Sequence, residues 1–376
     1  MNEWKEYELG DICSRLSSGK GIRAAMISDS AEYAVYGGNG IRGYTSDYNF
    51  EGDCAIIGRQ GAYCGNVRYF KGKAYMTEHA VIACANDEHN TRYLSYVLSA
   101  MSLGRLSGQS AQPGISVKTL SIQKIKMPPL AIQEKIVAVI SALEDKIVLN
   151  TAINENLEQQ AQALFKAWFV DFEPFGGVMP DDWQIVPLGE LCDSISKKHR
   201  FNKPELIFLN TGDVENGMVL HNNYSEVSQM PGQAKKSIAI NDILYSEIRP
   251  INKHFTYVNF NADDYVVSTK LMVLRAKGIS PRRLYQFLTM PDTLNELQHE
   301  AETRSGTFPQ IRFDNIQQLE MIVASEQIEN EYSERLNTIY SMIDRNNAEN
   351  QRLAALRDTL LPKLMNGEID VSAVKI

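Results

Sequence analysis

A long amphipathic stretch occurs twice in the chain, as IQEKIVAVISALEDKIVLNTAINENLEQQAQALFKAW at residues 132–168 and as IENEYSERLNTIYSMIDRNNAENQRLAALRDTLLPKL at residues 328–364. In each copy, apolar side chains recur at alternating steps of three and four residues, the heptad pattern of a coiled-coil seam. The seam positions are Ile132, Ile136, Ile140, Leu143, Ile147, Leu157, Leu164 and Trp168, and then Ile328, Tyr332, Leu336, Ile339, Ile343, Leu353, Leu360 and Leu364. Stretches of about 38 residues predict helices roughly 57 Å long at about 1.5 Å per residue.

Asparagines interrupt the apolar pattern at matching places in the two stretches. Asn150 and Asn154 of the first stretch correspond to Asn346 and Asn350 of the second. A buried seam asparagine lowers stability but fixes register and partner. We therefore expect the two helices to form a coiled coil with each other, with these four residues setting the register. The alternative is two separate amphipathic helices, each lying on its own domain.

The repeat extends beyond the helices. Trp4 and Trp183 open matching segments at an offset of 179 residues, Leu94 matches Leu284 at 190, and from Ile115 onward the offset is a constant 196. The growing offset means that the second copy carries insertions in its first part. The sequence thus predicts a duplicated domain-plus-helix unit. Its segments are a globular domain at 1–128, a helix and linker at 129–180, a second globular domain at 181–322 and a helix at 323–376.

The globular segments combine strand, turn and helix signals. In the first, residues 53–61 are typical of a strand followed by a tight turn, and the glycine-rich run at 37–40 predicts another turn. In the second, residues 242–246 and 264–274 are strand-like. Short helices are expected near 90–103 and 281–290. The predicted fold class is therefore α+β, with two domains joined by two long helices.

Charge and composition limit the classes of function. The 376 residues carry a net charge of −8, divided as +2 for 1–128, −4 for 129–180, −3 for 181–322 and −3 for 323–376. An acidic chain should bind nucleic acid weakly alone, because neutralising phosphates supplies most non-specific affinity. Either partners add positive charge or a DNA-binding hypothesis is wrong. The five scattered cysteines lack C-x-x-C spacing, and no signal peptide or membrane span is seen, so we expect no metal site and a cytoplasmic protein.

The sequence lacks the common catalytic motifs. The sequence has no G-x-x-x-x-G-K-[ST] phosphate loop, no H-E-x-x-H metal motif, no G-x-S-x-G nucleophile turn and no Asn-Pro-Pro motif of amino-methyltransferases. We expect no catalytic residues in this chain. A nuclease or methyltransferase with a divergent site is the less favoured alternative.

Several motifs at the domain–helix junctions resemble those of one family. Gly108 and Gly114-Ile115-Ser116 precede IKMPPLAIQEKI at 125–136, LFKAWFVDFEP follows at 164–174, and LLPKLMNGEIDV closes the second helix at 360–371. Together with YGGNGI at 36–41 and SEIRP at 246–250, their order resembles type I restriction–modification specificity (S) subunits. The second junction, MIVASEQI at 321–328, departs from the pattern because it lacks the prolines. The resemblance covers essentially the whole chain.

The resemblance implies a DNA-reading protein without chemistry of its own. Residues 1–128 and 181–322 would be two target-recognition domains, each reading half of a split, non-palindromic target. The long helices would pack antiparallel as a spacer that holds the domains at opposite ends. Partners would be double-stranded DNA, two methyltransferase (M) subunits and two restriction/translocase (R) subunits. S-adenosylmethionine, ATP and Mg would belong to those partners, with no cofactor in this chain. A coiled-coil scaffold whose domains bind proteins is the main alternative, and the acidic charge favours it.

The candidate DNA contacts lie in turns and basic clusters. Arg59 and Gln60 suit guanine and adenine in the major groove, although a hairpin turn with a solvated arginine explains them equally well. Arg249 has the same two interpretations, and the family pattern favours DNA contact. The clustered basic residues would contact phosphates, although solvated surface charge explains them almost as well. The complete set is Lys20, Arg23, Asn39, Arg42, Tyr44, Arg59, Gln60, Lys197, Lys198, Arg200, Arg249, Asn252 and Lys253. Trp4 and Trp183 are predicted as core anchors.

Overall fold

The structure is a computed structural model that describes residues 4–107, 114–304 and 308–374. It divides into two compact units, Met1–Leu149 with Glu349–Ile376, and Asn150–Ala348. Each unit therefore combines one globular part of the sequence with portions of both long helices. Gly108 of the junction motif lies outside the described residues.

Unit 1 contains a six-stranded sheet and a two-stranded sheet. The eight strands of the two sheets are β1 (Lys5–Glu8), β2 (Cys13–Ser18), β3 (Tyr33–Gly37), β4 (Gly40–Thr45), β5 (Phe50–Gly58), β6 (Val67–Met76), β7 (Ala80–Ala85) and β8 (Lys124–Met127). The sheet has the order β2-β7-β5-β6-β3-β4, and β1 pairs separately with β8. Only the β3–β6 pairing is parallel among those described for this sheet. The helices are α1 (Leu9–Ile12), α2 (Thr91–Ala100), α3 (Val117–Ser121) and α4 (Leu130–Phe169).

The buried half of the central strand β5 is a continuous apolar run at residues 54–57. Ala55 and Ile57 pack into the cluster that contains Leu94 and Leu98 of α2, while Cys54 and Ile56 pack into a second cluster. Successive side chains of a strand point to opposite faces, so a strand buried on both faces needs apolar residues at every position. The strand predicted within 53–61, ahead of a tight turn, is therefore present, and it begins at Phe50 and ends at Gly58.

Unit 2 repeats the plan with an additional sheet. Its strands are β9 (Gln184–Pro187), β10 (Cys192–Ser194), β11 (Glu205–Leu209), β12 (Val214–Glu215), β13 (Met218–Val219), β14 (Tyr224–Glu226), β15 (Ala234–Lys236), β16 (Ile243–Ser246), β17 (Phe255–Tyr257), β18 (Tyr265–Ser268), β19 (Leu271–Ala276) and β20 (Glu320–Val323). Its sheets are ordered β10-β19-β16-β17, β14-β11-β18-β15, β12-β13 and β20-β9. The helices are α5 (Leu188–Leu191), α6 (Pro281–Thr289), α7 (Pro291–Arg304), α8 (Phe313–Ile316) and α9 (Glu326–Met365).

The strand-like segment at 264–274 is divided between two sheets. It breaks at Thr269 and Lys270, so that β18 joins one four-stranded sheet and β19 joins the other. Residues 205–236 supply β11, β14 and β15 of the second four-stranded sheet. The short helices expected near 90–103 and 281–290 are α2 and α6.

The two long helices run antiparallel within each unit. In unit 1, Ile136 and Ile140 of α4 share a core with Leu364 of α9, and Lys146 forms a salt bridge of 3.5 Å with Glu349. In unit 2, Trp168 of α4 and Tyr332 of α9 have ring centroids 5.4 Å apart. Residues later in α4 pack against residues earlier in α9, so the two helices are antiparallel. The coiled-coil prediction is confirmed, and the alternative of two separate amphipathic helices is wrong.

A corresponding arginine joins each globular part to a long helix. Arg92 of α2 donates to Glu144 of α4 at 2.8 Å and lies 5.2 Å over the ring of Tyr69. Arg282 of α6, at an offset of 190, donates to Asp344 of α9 and lies 3.7 Å over the ring of Tyr257. Paired charges stacked on aromatic faces fix orientation as well as contact. These contacts set the angle at which each domain meets its helix.

The two tryptophans that open the repeats differ in burial. Trp183 is 5% exposed and packs among Phe169, Phe172 and Phe175, as a core anchor should. Trp4 is half-buried and packs against the core cluster of unit 1.

Candidate nucleic-acid interface

Loops from distant parts of the sequence meet at one end of the unit 1 sheet. The Arg59 amide donates to the His79 carbonyl at 2.9 Å, and the Lys20 amide donates to the Met76 carbonyl at 2.9 Å. The turn after β3 joins them, because a Cβ on Gly38 would lie 3.2 Å from the Gln60 carbonyl oxygen. We call the residues 18–23, 37–40, 59–61, 77–79 and 114 loop cluster 1. It brings together Lys20, Arg23, Asn39, Arg59 and Gln60 of the predicted site.

Unit 2 contains the same arrangement with different side chains. The Glu247 amide donates to the Lys270 carbonyl at 3.0 Å, and the Ile311 amide donates to the Glu247 carbonyl at 2.8 Å. In unit 1, Arg59 makes the same two bonds to His79 and Ile115, each at 2.9 Å. We call residues 195–200, 235–237, 246–249, 268–270 and 309–310 loop cluster 2.

The repeated bonds show which residue of unit 2 corresponds to Arg59. It is Glu247, two residues before the predicted Arg249. Isolated bridges agree, because Gln60 pairs with Gly114 as Ile248 pairs with Gln310. The sequence analysis missed Glu247. Aligning the apolar ends of β5 and β16 would have found it, since both strands stop immediately before this turn.

Basic residues crowd one part of loop cluster 2. The segment at Lys197–His199 pairs with Lys235–Ser237, since the His199 amide donates to the Lys235 carbonyl and the Ser237 amide to the Lys197 carbonyl, both at 2.8 Å. Lys236 donates to the carbonyls of Thr269 and Leu271, and burial lowers its pKa. Lys197, Lys198 and Arg200 remain exposed beside it. Lys235 and Lys236 were missed because the insertion hides their pairing with 197–199.

None of the nine predicted basic residues forms a salt bridge within the described part of the chain. In the described parts of the chain, the salt bridges use other cations, such as Lys203 with Asp264 and Arg275 with Asp242. Across those same residues, no carboxylate lies within 4.0 Å of the charged nitrogens of Lys20, Arg23, Arg42, Arg59, Lys197, Lys198, Arg200, Arg249 or Lys253. Cations left without carboxylates in an acidic protein are available for an external anion such as phosphate.

Arg42 and Tyr44 lie on β4, an edge strand of the unit 1 sheet. The Arg42 side chain packs on Gly37, where an added Cβ would come 3.1 Å from Arg42 Cγ. Tyr44 is half-buried, and its backbone exchanges two hydrogen bonds of 2.8 and 2.9 Å with Ser28. The exposed Arg68 of β6 packs on the other side of this hairpin, against Gly40, and was missed by the sequence analysis.

The turn at 249–253 lies beside loop cluster 2 and also faces the long helix. The exposed Arg249 has a left-handed φ of 42°, and its amide donates to the Pro309 carbonyl at 3.2 Å. Asn252 and Lys253 are both exposed, and Lys253 also lines a cavity of about 280 Å³ together with Glu158 of α4. Burial raises the pKa of Glu158, and Lys253 partly offsets that rise. Lys253 is therefore exposed as well as close to α4, and its contact with DNA stays a prediction.

The seam asparagines form a polar layer in unit 2. Asn154 donates to the side-chain oxygen of Asn347 and accepts from the side chain of Asn346, both at 2.8 Å. Asn150 is buried on the same helix. Asn347 was missed because it lies one residue beyond the heptad position. These two amide hydrogen bonds form together in only one register of α4 against α9.

The described residues offer little to a catalytic mechanism. Burial raises the pKa of the Cys13 thiol to about 12 and of the Cys192 thiol to about 11, which disfavours a reactive thiolate. Within the described ranges, no three His, Cys, Asp or Glu side chains are grouped so that they could hold a metal ion. Across the same ranges, no helix is long and apolar enough to cross a membrane.

Comparison with known proteins agrees with this architecture. A family model described as the type I restriction modification DNA specificity domain matches residues 1–159 and 180–355. The HindI specificity subunit of Haemophilus influenzae is 39% identical over 182 residues, which are 48% of this chain and 40% of that protein. The EcoprrI specificity subunit of Escherichia coli is 38% identical over 38% of this chain and 36% of that protein. The alignments thus span well under half the length of these two relatives.

More distant relatives match a larger share of the chain. The MjaIX specificity subunit of Methanocaldococcus jannaschii is 23% identical over 75% of this chain and 69% of that protein. A crystal structure of a type I restriction-modification system S subunit from M. genitalium has the same fold, with a TM-score of 0.68 and 16% identity over 96% of both chains. Because the family model covers most of the sequence in two successive matches, the chain belongs to the type I restriction modification DNA specificity domain family.

Proposed function

We propose that this chain is the specificity subunit of a type I restriction–modification complex and reads a bipartite, non-palindromic DNA target. The proposal rests on loop clusters 1 and 2, which share the same backbone hydrogen bonds but carry different side chains. Arg59 in unit 1 and Glu247 in unit 2 occupy the same position. Arginine pairs with guanine in the major groove, whereas a carboxylate accepts from the amino group of cytosine. The two half-sites therefore differ.

Electrostatics support a DNA interface confined to the loops. The chain is acidic overall, with a net charge of −8. Basic residues without a salt bridge in the described part of the chain nonetheless lie at Lys20, Arg23 and Arg59 in loop cluster 1 and at Lys197, Lys198 and Arg200 in loop cluster 2. Basic side chains near phosphates set orientation, and neighbouring base-edge contacts give sequence preference. The chain alone binds DNA weakly, and partner subunits supply the remaining positive charge.

The antiparallel helices serve as the spacer between the two reading elements. The Asn154 layer fixes the register of α4 against α9, and Arg92 and Arg282 fix each globular part to its helix. A rigid spacer converts a distance in the protein into a fixed gap in the target. Half-sites one helical turn apart lie about 34–36 Å from centre to centre.

Chemistry in the complex belongs to other subunits. The chain assembles with two methyltransferase subunits and, for restriction, with two restriction/translocase subunits. S-adenosylmethionine, ATP and Mg bind to those partners, and this chain takes no part in bond making or breaking. The specificity-subunit names of the relatives support this division of labour. A complex that acts on the chromosome operates in the cytoplasm.

A second candidate is a coiled-coil scaffold whose globular parts bind proteins, and the acidic charge favours it. An electrophoretic mobility shift separates the two, using duplexes with the methylated target or with the same bases in scrambled order. With the methyltransferase partner present, we expect a shift for the target at concentrations that leave the scrambled duplex free. Equal shifts, or none, would favour the scaffold.

A further inference from the structure

A cavity of about 530 Å³ opens in unit 1 between the loop after β5 and the turn after α2. Residues 64–68 form one wall, and residues 99 and 102–105 form the other. Two arginines, Arg68 and Arg105, line it, and none of the described lining residues carries a carboxylate. The cavity is therefore lined by two positive charges and, among the described lining residues, no negative one, although the chain carries a net charge of −8.

The cavity is continuous with loop cluster 1. The Gly65 amide donates to the Gly58 carbonyl at 2.8 Å, and the Cys64 thiol donates to the Arg59 carbonyl at 3.2 Å. Gly65 has a φ of 86°, and a Cβ there would lie 2.6 Å from the carbonyl carbon of Leu103. The two walls thus meet backbone to backbone, which holds the cavity open beside Arg59.

Both arginines keep free donors. Arg105 donates its Nε to the Met101 carbonyl at 3.2 Å, which orients the guanidinium and leaves its terminal nitrogens available. The exposed Arg68 packs against Gly40 of the β3–β4 hairpin. Neither forms a salt bridge within 4.0 Å in the described part of the chain. A planar guanidinium matches the oxygens of a phosphate in two parallel hydrogen bonds.

The corresponding cavity of unit 2 has a different character. Ser99 lines the first cavity and Thr289, at an offset of 190, lines the second, so both lie at the end of the short helix. The second cavity contains the carboxylate of Glu158 and the rings of Phe255 and Tyr285. A carboxylate would repel phosphate, so the two copies do not share this site.

Resting on the proposed function, we propose that the unit 1 cavity binds a phosphodiester of the DNA backbone through Arg68 and Arg105. The contact lies next to the Arg59 loop, so it fixes the register of that loop on the duplex. It adds affinity without sequence preference, as phosphate contacts do. The asymmetry also fits the charge of the two globular segments, which is +2 for 1–128 and −3 for 181–322.

The test measures how salt weakens binding of the full chain, with its methyltransferase partner, to target and scrambled duplexes labelled with a fluorophore. Each phosphate contact contributes about −0.9 to the slope of log affinity against log salt. We expect Arg105→Gln and Arg68→Gln each to make the slope shallower by about 0.9 on both duplexes. Between 50 and 200 mM salt, each variant should therefore lose roughly 3.5-fold less affinity than the wild type.

Two matched variants control for folding and for loss of charge alone. Arg105→Lys should keep the wild-type slope, because the charge remains. Lys126→Gln removes an exposed cation of β8, outside the loop cluster and the cavity, and should leave the slope unchanged. A wild-type slope in both arginine variants would overturn the phosphate site while leaving the proposed function standing. Failure of the wild-type complex to bind either duplex would overturn both.

A chemical footprint separates DNA from free phosphate as the ligand. Phenylglyoxal modifies accessible arginines, and mass spectrometry reports the modified positions. Duplex DNA should protect Arg68 and Arg105, whereas inorganic phosphate at the same phosphate concentration should not. Equal protection by inorganic phosphate would identify a site for the free anion and overturn the assignment to DNA.

Discussion

Replacing Arg59 by alanine tests whether loop cluster 1 reads bases. The backbone of Arg59 holds the loop through its bonds to His79 and Ile115, and alanine keeps both. The side chain makes one weak contact within the protein, from Nη1 to Ser18 Oγ at 3.4 Å. A hydrogen bond so long contributes less than about 1 kcal/mol, so the variant should fold and lose at most about 2–4 °C in Tm.

The effect on recognition should be much larger than the effect on stability. A bidentate contact from an arginine to guanine discriminates by about 1–3 kcal/mol, so affinity for the methylated target should fall by roughly 5- to 150-fold. Binding to random duplex should fall only slightly. Arg59→Lys keeps the charge without the planar fork and should resemble alanine on the target. The assay is fluorescence anisotropy with both duplexes, in the presence of the methyltransferase partner. Equal losses on target and random DNA would assign Arg59 to phosphate contact and refute base reading.

Three further predictions concern the spacer and its attachments. Asn154→Leu should lower the free energy of unfolding by about 1–3 kcal/mol, because two partner amides lose their hydrogen bonds. Adding Asn346→Leu should recover part of this loss. An unchanged free energy of unfolding in chemical denaturation would contradict the polar layer. Arg282→Ala should lower the free energy of unfolding by about 2–4 kcal/mol in the same assay. Lys277→Ala breaks an exposed salt bridge and should lower it by less than about 1 kcal/mol. Similar decreases in the two variants would contradict the special role of Arg282. One heptad inserted near Asn150 and one near Asn346 should lengthen the spacer by about 10 Å, or about three base pairs. Since three base pairs turn the duplex by about a third of its repeat, methylation mapping should show a wider gap and reduced activity, and full activity at the original spacing would show that the helices do not set the gap.

The architecture was accessible from the sequence because it is encoded locally and twice. Heptad spacing is a property of neighbouring residues, so Ile136, Ile140 and Tyr332 identify the seam without knowledge of the fold. The duplication gave a second, independent copy of each signal, and the junctions near Ile115 and Ile311 align at one constant offset. For the same reason the helical segments α4 and α9 were predicted close to their observed limits.

The two loop clusters were harder to predict from the sequence, because their composition depends on the order of the strands in the sheets. In unit 1 the sheet runs β2-β7-β5-β6-β3-β4, so loops far apart in sequence become neighbours. Individual candidates such as Lys20, Asn39 and Arg59 were recognised from turn chemistry, but their convergence was not. Glu247 was not among the predicted contacts, most of which are basic residues, and the additional strands of unit 2 obscured its equivalence to Arg59. Arg68 and Arg105 were missed because each is unremarkable until α2 and β6 are brought together.

Exchange of one reading domain tests the central claim most directly. Residues 1–128 would be replaced by the corresponding segment of a family member with a different target, and methylated sites would be mapped across the genome of a host expressing the chimaera. The proposed function predicts that one half of the bipartite target changes while the other half and the gap stay the same. A change in both halves, or methylation that does not depend on this chain, would contradict it.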